Sequence, residues 1–172
     1  MTMLLWQKLL AQQVAAAVAY RYWRIYVTLT DAGAGSGGVQ INEIELRATV
    51  GGSDLTTPST PSLASSTLAP GYGPEQMLNN FLLGAPWASS GSPSVGTPAW
   101  ARFDLGTAQI VREVAIHPAG KPDEEGSSIG SALYAPRNFM IQGSSDGTNF
   151  TDVKAFTGQT AWSNTAFRNF AL

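Results

Sequence analysis

Residues Pro136–Val153 read PRNFMIQGSSDGTNFTDV. Phe139 and Ile141 alternate with Asn138, Met140 and Gln142, so one face of this stretch is apolar at period two, the signature of a half-buried strand. Ser145-Asp146-Gly147 then supplies a tight turn, because Asp tolerates the left-handed region and Gly enters it at no steric cost. Phe150 and Val153 resume the apolar pattern. The stretch is strand, turn, strand.

Similar signals recur outward from this hairpin. Tyr20–Thr30, YRYWRIYVTLT, is dense in aromatic and β-branched residues, which favour strands. Trp23, Ile25, Val27 and Leu29 point one way, Arg24 and Tyr26 the other. Asp31–Gly38 is a flexible connection. VQINEIELRA follows as a second strand, whose apolar phase shifts between Ile41 and Ile44; that predicts a bulge near Asn42-Glu43. Gly51–Gly73 reads as loop. Pro74–Leu83 has Pro at a first helical position and predicts one short helix. Ala85–Ala99 is loop again. Strands are expected at Trp100–Leu105, Gln109–His117, Asn138–Gly143, Phe150–Phe156 and Ala166–Leu172. Short strands with turn signals between them predict an all-β sandwich.

Composition narrows the function. The chain of 172 residues is long enough to bury a core without disulfides or metals. Its charged share of 13% is about half the usual value, so uncharged polar side chains must cover much of the surface. That suits packing in an assembly or a neutral polar ligand such as a glycan. Ten Lys and Arg against twelve Asp and Glu give a net charge of −2 with no basic run, which argues against nucleic acid. Without cysteine there is no thiolate metal site and no thiol nucleophile.

Met1–Ala19, MTMLLWQKLLAQQVAAAVA, differs from all that follows. It contains helix formers and no Gly or Pro, with Met3, Trp6, Leu10, Val14 and Val18 on one face. A signal peptide would use Ala17-Val18-Ala19 as its cleavage site, but Gln and Lys interrupt the apolar run. The same residues argue against a membrane span. The expectation is an amphipathic α-helix that docks on another chain or on copies of itself; packing on its own domain is the alternative. The chain thus divides into a helical segment, 1–19, and a sandwich, 20–172.

The hairpin resembles the "P..F.I.GS.DG..W..V" signature of the discoidin-like family, the coagulation factor type C β-sandwiches with a galactose-binding-like jelly roll. Other segments are similar too: Trp100–Gly106 (WARFDLG) to "W..vDLG", QIVREVAI to "..v..v.i", NNFLLGAPWAS to "A.DGn..T.W.S", and WSNTAFRNFAL to "W..g..R.f.l". In the common order a "RYVRL" strand and an "EIel" strand close the domain. Here Arg21–Ile25 and Glu43–Leu46 come first, so the chain looks like a circular permutant. That order predicts strand Trp23–Leu29 beside strand Ala166–Leu172. It resembles modules of phage virion proteins.

The resemblance implies candidate sites. Many members hold a structural Ca²⁺ through the Asp, a carbonyl and the Thr of "DGn..T" plus the Glu of the closing strand. Glu43 matches that Glu, Asn80 stands at the Asp and Ala85 at the Thr, so the metal set is Glu43 and Asn80; direct hydrogen bonding to the loop without metal is the alternative. Glycan sites in the family lie on loops at one end, with aromatic platforms beside directional donors. Candidate platforms are Tyr72, Trp87, Tyr134 and Trp162; candidate donors are His117 and Arg137. Trp87 and Trp100 match positions that are usually core, and His117 ends a strand where a structural role is the plainer reading. Tyr134 and Arg137 flank the long loop Pro118–Pro136 and are the favoured pair.

Catalysis finds no support. There is one His and no Cys, no G-x-S-x-G elbow, and Asp123-Glu124-Glu125 are adjacent loop acids that cannot flank a substrate bond. Gly33–Gly38 lacks the Lys-Ser/Thr of a phosphate loop. The expectation is a non-catalytic phage virion module of a tail, baseplate or surface decoration. It would be oligomeric, joined to other virion proteins through residues 1–19, and would present loops to host glycans. The alternatives are a packing protein without glycan binding and an extracellular carbohydrate-binding module.

Overall fold

The structure, a computed structural model, describes residues 17–120 and 131–172. In chain order the strands are β1 (Tyr20–Thr30), β2 (Gln40–Arg47), β3 (Ser62–Ala64), β4 (Trp87–Ala88), β5 (Ala99–Gln109), β6 (Glu113–Pro118), β7 (Pro136–Ser144), β8 (Thr151–Phe156) and β9 (Arg168–Ala171). They form a five-stranded sheet, β3-β5-β1-β7-β8, and a four-stranded sheet, β4-β2-β6-β9. Every pairing is antiparallel. The expected β-sandwich is present. The expected helix over Met1–Ala19 lies outside the described residues up to position 16, and Ala17–Ala19 is not helical.

Alternation along β1 explains its central place. Trp23, Ile25 and Val27 are buried and meet Phe103, Ala101 and Ala99 of β5 on one side. On the other side they meet Gly143, Ile141 and Phe139 of β7. β2 and β6 supply the facing layer, with Ile44 opposite Ile116 and Leu46 opposite Val114. An aromatic cluster seals the layers: Phe139 and Phe156 stack at 5.0 Å, and Phe170 of β9 stands edge-on to both at 5.0 and 4.9 Å.

The expected pairing of Trp23–Leu29 with Ala166–Leu172 is not formed. β1 sits between β5 and β7, whereas β9 pairs with β6 in the other sheet. An eleven-residue β1 with two apolar-matched edges takes the two long strands as partners; a four-residue β9 can satisfy neither. Three further expectations are corrected. The helix over Pro74–Leu83 shortens to a 3-10 turn, Pro74–Leu78, because Asn80 adopts a left-handed backbone (φ 58°) that ends it. The presumed loops contain β3 and β4. Trp100, expected in the core, lies half-buried on the outer face of the five-stranded sheet.

The predicted bulge is present: Ile41 faces Pro118 and Glu43 faces His117, leaving Asn42 as the extra residue. Ile41 and Ile44 both belong to the core, so the bulge sends Asn42 and Glu43 together to the opposite face.

Phe170 couples the two sheets, so Phe170→Ala is expected to cost about 3–5 kcal/mol of stability. Urea denaturation checks this; a loss below about 1 kcal/mol would mean the layers are held elsewhere.

Candidate functional site

One end of the sandwich brings Tyr72, Tyr134 and Arg137 towards the surface. There the loop 31–38 meets the segment before β7: Asp31 N–H donates to Ala135 O at 3.0 Å, and Ala32 N–H donates to Leu133 O at 2.6 Å. Two consecutive glycines permit the closure. A Cβ at Gly37 would lie 2.6 Å from Tyr134 Cε1, and one at Gly38 would lie 1.9 Å from Ser89 O. The Tyr134 ring therefore lies on bare backbone. Ala88 N–H donates to Tyr72 O at 3.1 Å, which brings the Tyr72 loop to the same end. Ser131 caps the 3-10 turn Ala132–Tyr134 by accepting from Leu133 N–H.

Tyr72, Tyr134 and Arg137 are half-buried and reach the surface. Gln159 N–H donates to the Arg137 carbonyl at 2.9 Å. Among the described residues the Arg137 guanidinium makes no hydrogen bond or ion pair.

The other candidates are corrected as glycan contacts by burial. Trp87 is fully buried and its indole N–H donates to Ser66 O at 3.2 Å. Trp162 is 9% exposed, packed on Phe170 and capped by the Arg168 guanidinium 4.4 Å above its ring. His117 is buried, its Nδ1 2.9 Å from Pro118 O and its ring edge-on to Phe167; burial lowers its pKa. Asp123-Glu124-Glu125 lie outside the described residues.

Sequence reasoning missed Phe81. It is 61% exposed and folded over Gly84, where a Cβ would come within 2.6 Å of Phe81 Cδ1. The run NNFLLG signalled only helix, and the helix ends before Phe81.

The calcium candidates are rearranged. Glu43 is fully buried; its Oε2 accepts from Asn80 N–H at 2.6 Å, while Oε1 has no partner. Asn80 itself is exposed and meets Glu43 through its backbone, not through its amide. The buried amide belongs instead to Asn42, whose Nδ2 donates to Leu82 O and whose Oδ1 has no partner. Glu43 Oε1 and Asn42 Oδ1 are thus two buried, unpartnered oxygens on β2 facing the loop 79–84, and they are the donors a hard cation would take there. Among the described residues no group of three His, Asp or Glu is assembled for a metal. Burial pushes the Glu43 carboxyl up to about 8.

No helix among the described residues is long and apolar enough to cross a membrane. No curated protein and no solved structure matches the chain.

A folded pKa raised above the unfolded one makes stability fall as pH rises between the two. The melting temperature is therefore expected to drop from about pH 5 to pH 8, with a stability slope of up to about 1.4 kcal/mol per pH unit, and Glu43→Gln to flatten that slope. At pH 8, calcium is expected to raise the melting temperature of the wild type and not of E43Q. A wild type indifferent to calcium would leave Glu43 as a protonated clasp on the loop.

Residues 84–171 match the NedA-like galactose-binding domain of the F5/F8 type C group, just over half of the chain, and the protein belongs to that family.

Proposed function

We propose that this protein is a non-catalytic carbohydrate-binding module that holds galactosides at the loop end of the sandwich. One observation carries the reading: an uncommitted Arg137 guanidinium stands three residues from a half-exposed Tyr134 ring in a domain of the galactose-binding family. A sugar needs both an aromatic face for its C–H groups and directional donors for its hydroxyls. Tyr72 reaches the surface at the same end. His117, the one histidine, is buried and committed to structure.

The virion setting rests on the resemblance of the permuted order and on the character of residues 1–19. In that setting the module would repeat on a phage particle, and avidity from many copies would make weak sugar contacts useful.

The permuted order has separate support. Tyr20 and Leu172 line one cleft, together with Trp23 and Val111, so the ends of the sandwich adjoin although their strands do not pair. Adjacent surface ends are what a permutation needs. Joining Leu172 to Tyr20 by about four residues and opening the chain at Gly51-Gly52 is expected to keep the melting temperature within about 5 °C of the unpermuted domain. Failure of that variant to fold would remove the support.

Binding is tested by calorimetry with lactose and galactose. Tyr134→Ala and Arg137→Ala are each expected to weaken binding about tenfold while leaving the melting temperature unchanged. Absence of galactoside binding, or binding indifferent to both substitutions, would overturn the proposal.

A further inference from the structure

The outer face of the five-stranded sheet carries a second constellation. Tyr22, Arg24 and Tyr26 of β1 alternate with the buried Trp23 and Ile25. In register, Arg24 lies opposite Arg102, and Tyr26 opposite Trp100. On the other flank Arg24 lies opposite Gln142.

Arg24 is held in place from several sides. Its Nε donates to Gln142 Oε1 at 2.5 Å, and Gln142 Nε2 donates to Asp152 Oδ1 at 2.5 Å, which fixes the Gln142 amide. Its guanidinium carbon lies 3.9 Å from the Phe150 ring centroid, 5.2 Å from that of Tyr26 and 5.7 Å from that of Trp100. Among the described residues its two terminal amino groups make no hydrogen bond. Burial lowers its pKa, with Arg102 acting in the same direction.

Like charges directly opposite on one sheet face are destabilising, and among the described residues no carboxylate is hydrogen-bonded to either arginine. The nearby acids hydrogen-bond to other groups, while Asp152 acts on Arg24 and Asp104 on Arg102 through space only. Asp104 pairs with Arg21 at 2.7 Å, Asp152 holds Gln142, and Asp146 accepts hydrogen bonds from its own turn. Among the described residues the Arg102 side chain donates to the Gly147 carbonyl alone, at 2.6 Å. A positioned, aromatic-flanked guanidinium with free amino groups is a fork for a planar anion. Trp100 and Tyr26 beside it offer faces on which a pyranose ring stacks.

We infer that this sheet face binds a carboxylated sugar, its carboxylate held by Arg24 and Arg102 and its ring laid on Trp100 and Tyr26. The inference rests on the carbohydrate-binding reading and places a second, anion-selective site on the same module. Two arginines and two aromatic rings spread over neighbouring strands suit a segment of uronic-acid chain better than a single sugar.

The test compares a short oligomannuronate with the same oligosaccharide after methyl esterification, by calorimetry on the full chain. The acid is expected to bind about tenfold or more tightly than the ester, and to weaken as salt is raised. Arg24→Gln is expected to abolish the acid-to-ester preference, and Arg24→Lys to reduce it, because an ammonium keeps the charge and loses the fork. Trp100→Ala is expected to weaken acid and ester alike. Galactoside binding at Tyr134 and Arg137 is expected to survive all three. Equal binding of acid and ester, a preference that persists in R24Q, or no binding of the acid would overturn this inference. If galactosides still bind in those cases, the proposed function stands; if they do not, both fall.

Discussion

The alternation of β1 is the constraint on which the sandwich depends. A strand has side chains at period two, so a strand in the middle of a sheet must satisfy two different environments with one sequence. In β1 the inward set is Trp23, Ile25 and Val27, and the outward set is Tyr22, Arg24 and Tyr26. A slip by one residue would place Arg24 in the core and Trp23 in water. That penalty fixes the register with β5 and β7 at once, and through them the whole five-stranded sheet. The same constraint makes the outer face: the residues that cannot enter the core are aromatic and cationic, and the pairing stacks them beside Trp100 and Arg102.

The second sheet solves a different problem at Asn42 and Glu43. A regular β2 would alternate one of them into the core. The bulge spends one residue of pairing and keeps Ile41 and Ile44 inside while two polar side chains reach one loop. A fully buried carboxylate is costly unless it is neutralised or paired. Its contact with Asn80 N–H satisfies one oxygen; the other can be satisfied by a proton or by a cation. The loop carrying Phe81 is therefore clasped by a group whose charge responds to its surroundings, close to the end where Tyr72 and Tyr134 reach the surface.

Local signals were legible where the chemistry is local. The Pro136–Val153 hairpin follows from alternation and Asp146-Gly147, and the bulge follows from the phase slip between Ile41 and Ile44. Long-range pairing was not legible: neither β1 nor β9 encodes which neighbour it will take, and the family's strand order suggested an adjacency that the lengths of the strands forbid. Of the aromatics, Trp87 was legible as core from its family position and Trp162 was not. Trp87 and Trp162 sit in loop-like sequence yet pack inside, because β4 pairs with β2 and because Phe170 and Arg168 close over Trp162. Trp100 sits in a strand yet faces out. Asn42 gave no signal of its own, since its role exists only once the bulge has turned it beside Glu43. The cluster around Arg24 depends on cross-strand register, which a linear reading does not contain.

A surface with only 13% charged residues in the chain gives each unpaired charge unusual weight. Exposed ion pairs contribute little to stability; among the described residues Arg21 pairs with Asp104 near the surface, and Arg47 with Glu45 and Glu113 in a largely buried cluster. Arg137, Arg24 and Arg102 stand outside that set. Arg24 lies beside Phe150, Tyr26 and Trp100, and Arg102 beside Tyr22; an aromatic beside a guanidinium is poorly explained by solubility, which scattered lysines serve better. It is well explained by recognition, because the ring fixes the cation in direction and excludes water from one of its faces. On a largely uncharged polar surface, the places where cation and ring coincide are the places where a sugar finds both a stacking face and a donor.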